Sequence, residues 1–168
     1  MLYNRMVALR LTRQQAVHDI DVQLKLRYDL IPNLLETVKG YAAHESALFE
    51  NVTAARAGAM NAQGVAARGQ TEAGLSAALM NLYAVAENYP DLKANDNFAA
   101  LQRDLGDIEN KIAASRRFLN NATQEYNTYI QQFPAVLIAQ KMGFKDEAFW
   151  DVGAEEKARI DQAPTVKF

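Results

Sequence analysis

Asp19, Asp21, Arg27, Asp29, Asn33 and Glu36 bring carboxylates, a guanidinium and an amide into one short stretch around Pro32. Carboxylates converging beside a guanidinium could form a polar site at a helix–helix turn, suited to hydrolytic or acid–base work. The same residues also read as capping groups and surface ion pairs, with Asp21 and Lys25 at the favourable i,i+4 spacing. The structural reading is preferred here. Metal chemistry lacks its ligands. There are two histidines, and the Glu-x-x-His pairs of metal-binding bundles are missing, because Gln15 and Tyr41 stand three residues before His18 and His44. His44-Glu45 begins like a zinc-protease helix, but Leu48 occupies the second ligand position. No serine sits in a nucleophile elbow, and "GVAARGQTEAG" has neither the preceding strand nor the lysine of a phosphate loop. With no cysteine, thiolate catalysis and disulfides are excluded. No catalytic residue, metal or cofactor is therefore expected. Arg116-Arg117 could meet an anion or an acidic partner but suits a solvated helix face, and Tyr126 and Tyr129 read as core.

The elements that would position these groups are helical. From Phe98 to Phe133 the residues Phe98, Leu101, Leu105, Ile108, Ile112, Ser115, Leu119, Ala122, Tyr126, Tyr129 and Phe133 step by three and four, a heptad seam on one long helix. Asp96 is its expected N-cap and Pro134 its stop. Met6, Leu9, Val17, Ile20 and Leu24 share a face of a first helix. The rhythm resumes after Pro32 with Leu34, Leu35, Val38, Tyr41, Ala42, Leu48, Val52 and Ala55. An unbroken helix over 3–58 would be a rod of roughly 84 Å, so a break is expected at Pro32, with Asp29 capping the new helix. Residues 57–70, small and glycine-punctuated, read as a loop. Leu75, Leu79, Leu82, Val85 and Ala86 mark a third helix ended by Tyr89-Pro90-Asp91.

The expected fold is all-α: an antiparallel up-and-down four-helix bundle with long helices over about 3–28, 32–57, 71–89 and 96–133. Val136, Leu137, Ile138, Met142, Phe144, Phe149 and Trp150 are expected to form a short cap at one end. The bundle occupies residues 1–150, followed by a loosely held tail over 151–168. The chain's 168 residues are of one-domain size, with 49% apolar and 23% charged side chains. A net charge of -2 gives no nucleic-acid footprint. No apolar run is long enough to span a membrane, and "MLYNRMVALRLTRQQ" lacks the apolar middle of a signal peptide. A helical pattern already running by Met6 suggests a segment upstream of Met1.

"DVQLKLRYDLIPNLLETVKGYAAHE" resembles the signature of the LemA family, with Asp21, Gln23, Arg27, Asp29, Leu30, Ile31, Pro32, Asn33, Leu34, Val38 and Gly40 in place. "ENKIAASRRFLNNATQEYNTYIQQFP" is similar to that family's last long helix, through Glu109, Ile112, Arg116, Tyr126, Asn127 and Pro134. The resemblance covers about Tyr3 to Trp150. It implies a bacterial helical bundle, usually preceded by one membrane-spanning helix, with some relatives associated with magnetosome organelles. That makes Arg27, Asp29, Pro32, Asn33, Arg116, Tyr126 and Asn127 signature positions and candidate interaction residues. The implied function is a non-enzymatic scaffold or protein-interaction domain of an envelope or organelle membrane. Other membrane or envelope proteins would be its partners, reached through an N-terminal anchor absent from this chain. Membrane remodelling by lipid binding, or an enzyme with its polar site near the helix 1–2 turn, are the alternatives. An anchor before Tyr3 would place the 57–70 loop and the Phe133–Trp150 segment at the membrane. Arg5, Arg10 and Arg13 then point to the cytoplasmic side by the positive-inside rule.

Overall fold

The computed structural model describes residues 1–151, which form helices joined by turns and one extended segment, with no strand. In chain order the helices are α1 (Leu2–Lys39), α2 (Ser46–Asn61), α3 (Val65–Ala86), α4 (Pro90–Lys93), α5 (Asp96–Gln131) and α6 (Val136–Ala139). Four of the six are long, and α4 and α6 are single turns. Of the expected tail over 151–168, residues 152–168 lie outside the described residues.

The expected break at Pro32 does not occur. α1 runs through it for 38 residues, about 57 Å. Its buried residues Met6, Leu9, Arg13, Ala16, Ile20, Leu24, Arg27, Ile31, Leu34 and Val38 step by three and four without interruption. Pro32 is exposed, on the outer side of that seam. A proline inside a helix costs about 3 kcal/mol, because it removes an N–H and crowds the carbonyl four residues earlier. Here that carbonyl belongs to Tyr28, and Arg56 of α2 donates its Nε–H to it at 2.9 Å. Keeping Ile31, Leu34 and Val38 in register buries three large side chains, each worth roughly 1.5–3 kcal/mol. The seam outweighs the proline. Replacing Pro32 with alanine is accordingly expected to raise stability by about 2 kcal/mol. Thermal unfolding measures this, and an unchanged or lower midpoint would show that the ring packs to advantage.

The chain reverses instead at Gly40–Glu45, where Ala42 N–H still bonds to Val38 O at 2.9 Å. Tyr89 Oη donates to Glu45 Oε1 and Asn95 Nδ2 donates to Tyr41 Oη, both at 3.0 Å, tying this turn to the one around α4. Residues 57–70 are not a loop either. α2 and α3 consume all but Ala62-Gln63-Gly64, and only Gly64 takes a left-handed backbone, at φ 83°. Alanine-rich segments with isolated glycines still form helix when one face is buried, as Ala59, Leu75, Ala78 and Leu79 are. The N-cap of α5 is Asn95, whose side chain accepts from Phe98 N–H at 2.9 Å, one residue before the expected Asp96.

α1 and α5 lie antiparallel along nearly their whole lengths: Met6 and Leu9 cluster with Tyr126 and Ile130, and Val38 with Phe98 and Leu101. α2 and α3 form a shorter hairpin over the half of that pair near Val38, sharing one cluster with Ile31, Leu34, Leu82 and Leu105. Its Ala62–Gly64 turn lies beside Asp21, which pairs with Arg68, and so midway along α1, well away from the N-terminal end. The other half of the α1–α5 groove would be open to water. Residues 135–150 fill it.

Those residues do more than cap an end. Ala135, Ala139 and Phe144 pack on Met6 and Leu9. The chain then runs extended down the groove until Trp150 is buried among Ala16, Ile20, Leu24, Ile108, Ile112 and Leu119. Of the expected seam, Phe133 lies past the end of α5 and is 80% exposed, while Thr123 and Ile130, not part of that expectation, are buried. The 3.6-residue helical turn drifts against a strict heptad, so the buried stripe moves from Tyr129 toward Ile130.

Candidate functional site

Two charged side chains interrupt the apolar seam of α1 two heptads apart, and each organises a polar centre. Arg27 is 1% exposed. Its Nη2 pairs with Glu72 of α3 and also donates to the Glu72 backbone carbonyl at 3.3 Å. Its Nη1 pairs with Glu109 of α5 and donates to Ser76 Oγ at 2.9 Å. Tyr28 Oη donates to the other oxygen of the Glu72 carboxylate. One guanidinium thus ties α1, α3 and α5 together through two carboxylates. Burial raises the Glu72 pKa above the usual carboxylate range, against the opposing pull of Arg27. Tyr83, partly buried beside them, is pushed up to about 12 by burial and by the Glu109 charge.

This is a closed centre. Glu72 is 3% exposed, while the Glu109 side chain, 36% exposed, and the half-buried Tyr28 and Ser76 reach the surface. The carboxylates converge on a guanidinium, which occupies the space between them. What the arrangement does is hold three helices in one register.

The second centre is Arg13, 6% exposed. Its Nε donates to Thr123 Oγ1 at 3.0 Å, its Nη2 to the Ala148 carbonyl at 2.9 Å, and its Nη1 pairs with Glu147 at 3.0 Å. Around it α5 binds the extended segment by its backbone. Asn127 donates to the Glu147 carbonyl and accepts from the Glu147 N–H, both at 2.9 Å. One heptad earlier, Asn120 donates to the Trp150 carbonyl at 3.3 Å and accepts from the Trp150 N–H at 2.8 Å. Tyr126 Oη donates to the Lys145 carbonyl at 3.0 Å. Each asparagine supplies the donor and acceptor that a neighbouring strand would supply. Where the segment leaves the groove it crosses Gly69 of α3, whose missing Cβ would overlap the Asp151 backbone.

Changing Asn127 to leucine leaves a backbone N–H and C=O of Glu147 without partners. A loss of about 1–3 kcal/mol is expected, with faster amide exchange over 145–150. Exchange unchanged in that segment would mean that Asn127 does not hold it.

The signature residues named from sequence separate into three places. Arg27 centres the closed network. Tyr126 and Asn127 bind the extended segment. Asp29, Pro32 and Asn33 lie on the outer face of α1. Asp29 does not cap a helix, since α1 continues through it; it pairs with Lys25 at 3.1 Å. The Asn33 carbonyl accepts from Thr37 Oγ1 at 2.9 Å. Arg116 is half-buried on α5. The acidic cluster is not a site at a turn: Asp19 accepts from Gln15 at 2.8 Å, Asp21 pairs with Arg68 rather than Lys25, and Glu36 meets Lys39 at 3.5 Å. His18 and His44 are exposed.

Sequence reading missed Arg13, Tyr28, Glu72, Ser76 and Asn120 as members of these centres. The signal for the arginines was present. Arg13 and Arg27 complete the three-four rhythm of α1, and a charge on a seam predicts a buried counter-charge on a facing helix.

The model of the LemA family matches residues 16–168. The chain is similar to "Magnetosome protein MamQ" of Magnetospirillum gryphiswaldense, 26% identical over 171 residues, covering 86% of this chain and 63% of that protein. It is equally similar to "Magnetosome protein MamQ 1" and "Magnetosome protein MamQ 2" of Paramagnetospirillum magneticum, each 27% identical over 172 residues, with the same 86% and 63% coverage. The chain thus spans about 63% of the length of the curated relatives it matches. With nearly its whole length inside the family match, this chain belongs to the LemA family.

Proposed function

We propose that this chain is a non-enzymatic helical scaffold held at a bacterial membrane, in which α1, α2, α3 and α5 act as an up-and-down four-helix bundle. One observation carries the reading. Large apolar side chains are exposed together at the end where α1 begins: Tyr3 at 47%, Phe133 at 80%, Leu137 at 62% and Met142 at 54%. Lys141 and Lys145 flank them. Aromatic and aliphatic groups among cations suit a headgroup boundary. Similarity to magnetosome proteins supports a place at an organelle or envelope membrane. No described helix is long and apolar enough to cross a membrane. The charged groups of the interior pair with each other, leaving only Gln23 Oε1, Arg27 Nε and Tyr83 Oη without partners among the described residues, which favours a structural role over turnover.

Vesicle flotation tests the membrane reading. The chain should float with anionic phosphatidylglycerol vesicles, and the Phe133→Glu/Leu137→Glu variant should lose most of that binding. Equal flotation of both, or of neither, overturns it. Hydrolase or metal-dependent turnover abolished by Asp29→Ala or Arg116→Ala would overturn the non-enzymatic part. The same apolar end supports a second reading, direct lipid binding that reshapes the membrane, which would show as tubulated or leaky vesicles in the same experiment.

A further inference from the structure

The segment 144–151 occupies the groove between α1 and α5 in the manner of a bound peptide. Its backbone is held at Lys145, Glu147, Ala148 and Trp150 by Tyr126, Asn127, Arg13 and Asn120. Phe144 and Trp150, 3% and 4% exposed, anchor its two ends. Glu147 meets Arg13 between them. None of these contacts needs the segment to belong to the same chain.

The connection back to α5 is slight. α6 is a single turn, and Gln140, Lys141, Met142 and Gly143 after it are all exposed. Gly143 carries a left-handed backbone, φ 77°, with open space around it, so it can change conformation at little cost. A short exposed hinge followed by a segment with self-contained contacts is the arrangement that permits exchange of identical elements between copies.

We infer that the α1–α5 groove is a binding site for an extended aromatic–x–x–Glu–x–x–Trp peptide, and that its partner in trans is residues 144–151 of a second copy. Two chains open at 140–143 and each places its segment in the other's groove. A reciprocal dimer follows, with the groove contacts of the monomer kept and the turn bonds from Met142, Gly143 and Phe144 N–H given up.

The chain's single tryptophan makes the exchange readable. Trp150→Ala leaves a groove intact but a segment without its anchor. Asn120→Ala/Asn127→Ala leaves the segment intact but a groove that cannot hold it. Mixed, the two should form a heterodimer of twice the 18.7 kDa chain mass. The only tryptophan present, on the asparagine variant, should shift its emission to the blue as it enters the other copy. Emission equal to the sum of the separate chains, with monomer mass, overturns the inference. A second variant does not depend on the folding of the first two. Deleting Lys141 and Met142 shortens the hinge so that the segment cannot return to its own groove, and a dimer with buried tryptophan is expected. A monomer with solvent-exposed tryptophan emission overturns the inference. Neither measurement involves a membrane, so failure here leaves the scaffold reading standing on its vesicle test.

Discussion

Replacing Arg27 with methionine is expected to cost about 3–5 kcal/mol of stability at neutral pH, because removing one partner of a buried ion pair strands the other. Glu72 would keep only the Tyr28 hydroxyl, in a site where it is 3% exposed. The loss should depend on pH in a defined direction. The folded-state pKa of Glu72 is raised above its ordinary value of 4.5, with burial the largest cause and Arg27 opposing it. A carboxyl with a raised folded pKa holds its proton more tightly when folded. Its contribution to stability is present below about pH 4.5 and is lost as pH rises through the folded pKa. Removing Arg27 removes the opposing pull and widens that window. Arg27→Met should therefore lie closest to wild type near pH 4.5 and fall further behind toward pH 7 and above. Adding Glu72→Gln should recover most of the loss, since the amide needs no counter-charge and its oxygen can still accept from Tyr28. Urea unfolding at both pH values decides this. A gap below about 1 kcal/mol, or one that does not change with pH, would mean that the network contributes less than burial implies.

Trp150→Ala should cost a similar amount, about 3–5 kcal/mol, the range for truncating a large buried aromatic. The ring fills the space between Ala16, Ile20, Ile112 and Leu119, with the Arg68 guanidinium 6.0 Å from its centre. Gly69→Ala probes the same place from the other side. Alanine in a helix is ordinarily worth about 1 kcal/mol over glycine. Gly106 of α5 has open space where its Cβ would be, so Gly106→Ala should show that gain. At Gly69 the added methyl meets the Asp151 backbone on one side and its own helix on the other, so the sign should reverse and the segment should loosen. Chemical denaturation gives both signs, and limited proteolysis over 140–151 reports the segment. Equal stabilisation by the two alanines would sink this account of the crossing.

Much of the architecture was legible because helix periodicity is a local property. The seam from Phe98 to Tyr126 follows from residue spacing alone, as does the inward face at Leu75, Leu79 and Leu82. The two blocks around Arg27 and Asn127 carried the family. What misled was treating local breakers as decisive. Pro32 removes one hydrogen bond of α1, and glycines weaken the helices on either side of residue 62. Each cost is a few kcal/mol at most, smaller than the burial that a continuous seam provides.

The polar centres were the least legible part. Arg13 reads in the sequence as one more cation near the start of the chain, and Asn120 as a surface amide. Their partners, Thr123, Glu147 and Trp150, are more than a hundred and exactly thirty positions away respectively, and no local pattern encodes such pairings. The sequence by itself determined that the chain is helical and where most of its buried stripes run, through residue spacing, and which family it belongs to, through the residues of two blocks. Only the tertiary structure decided that the proline stays inside its helix, that two arginines point inward, and that the last described segment lies in the groove of the long pair. Those outcomes depend on which distant groups meet, and there the free energy of burial outweighs local preference.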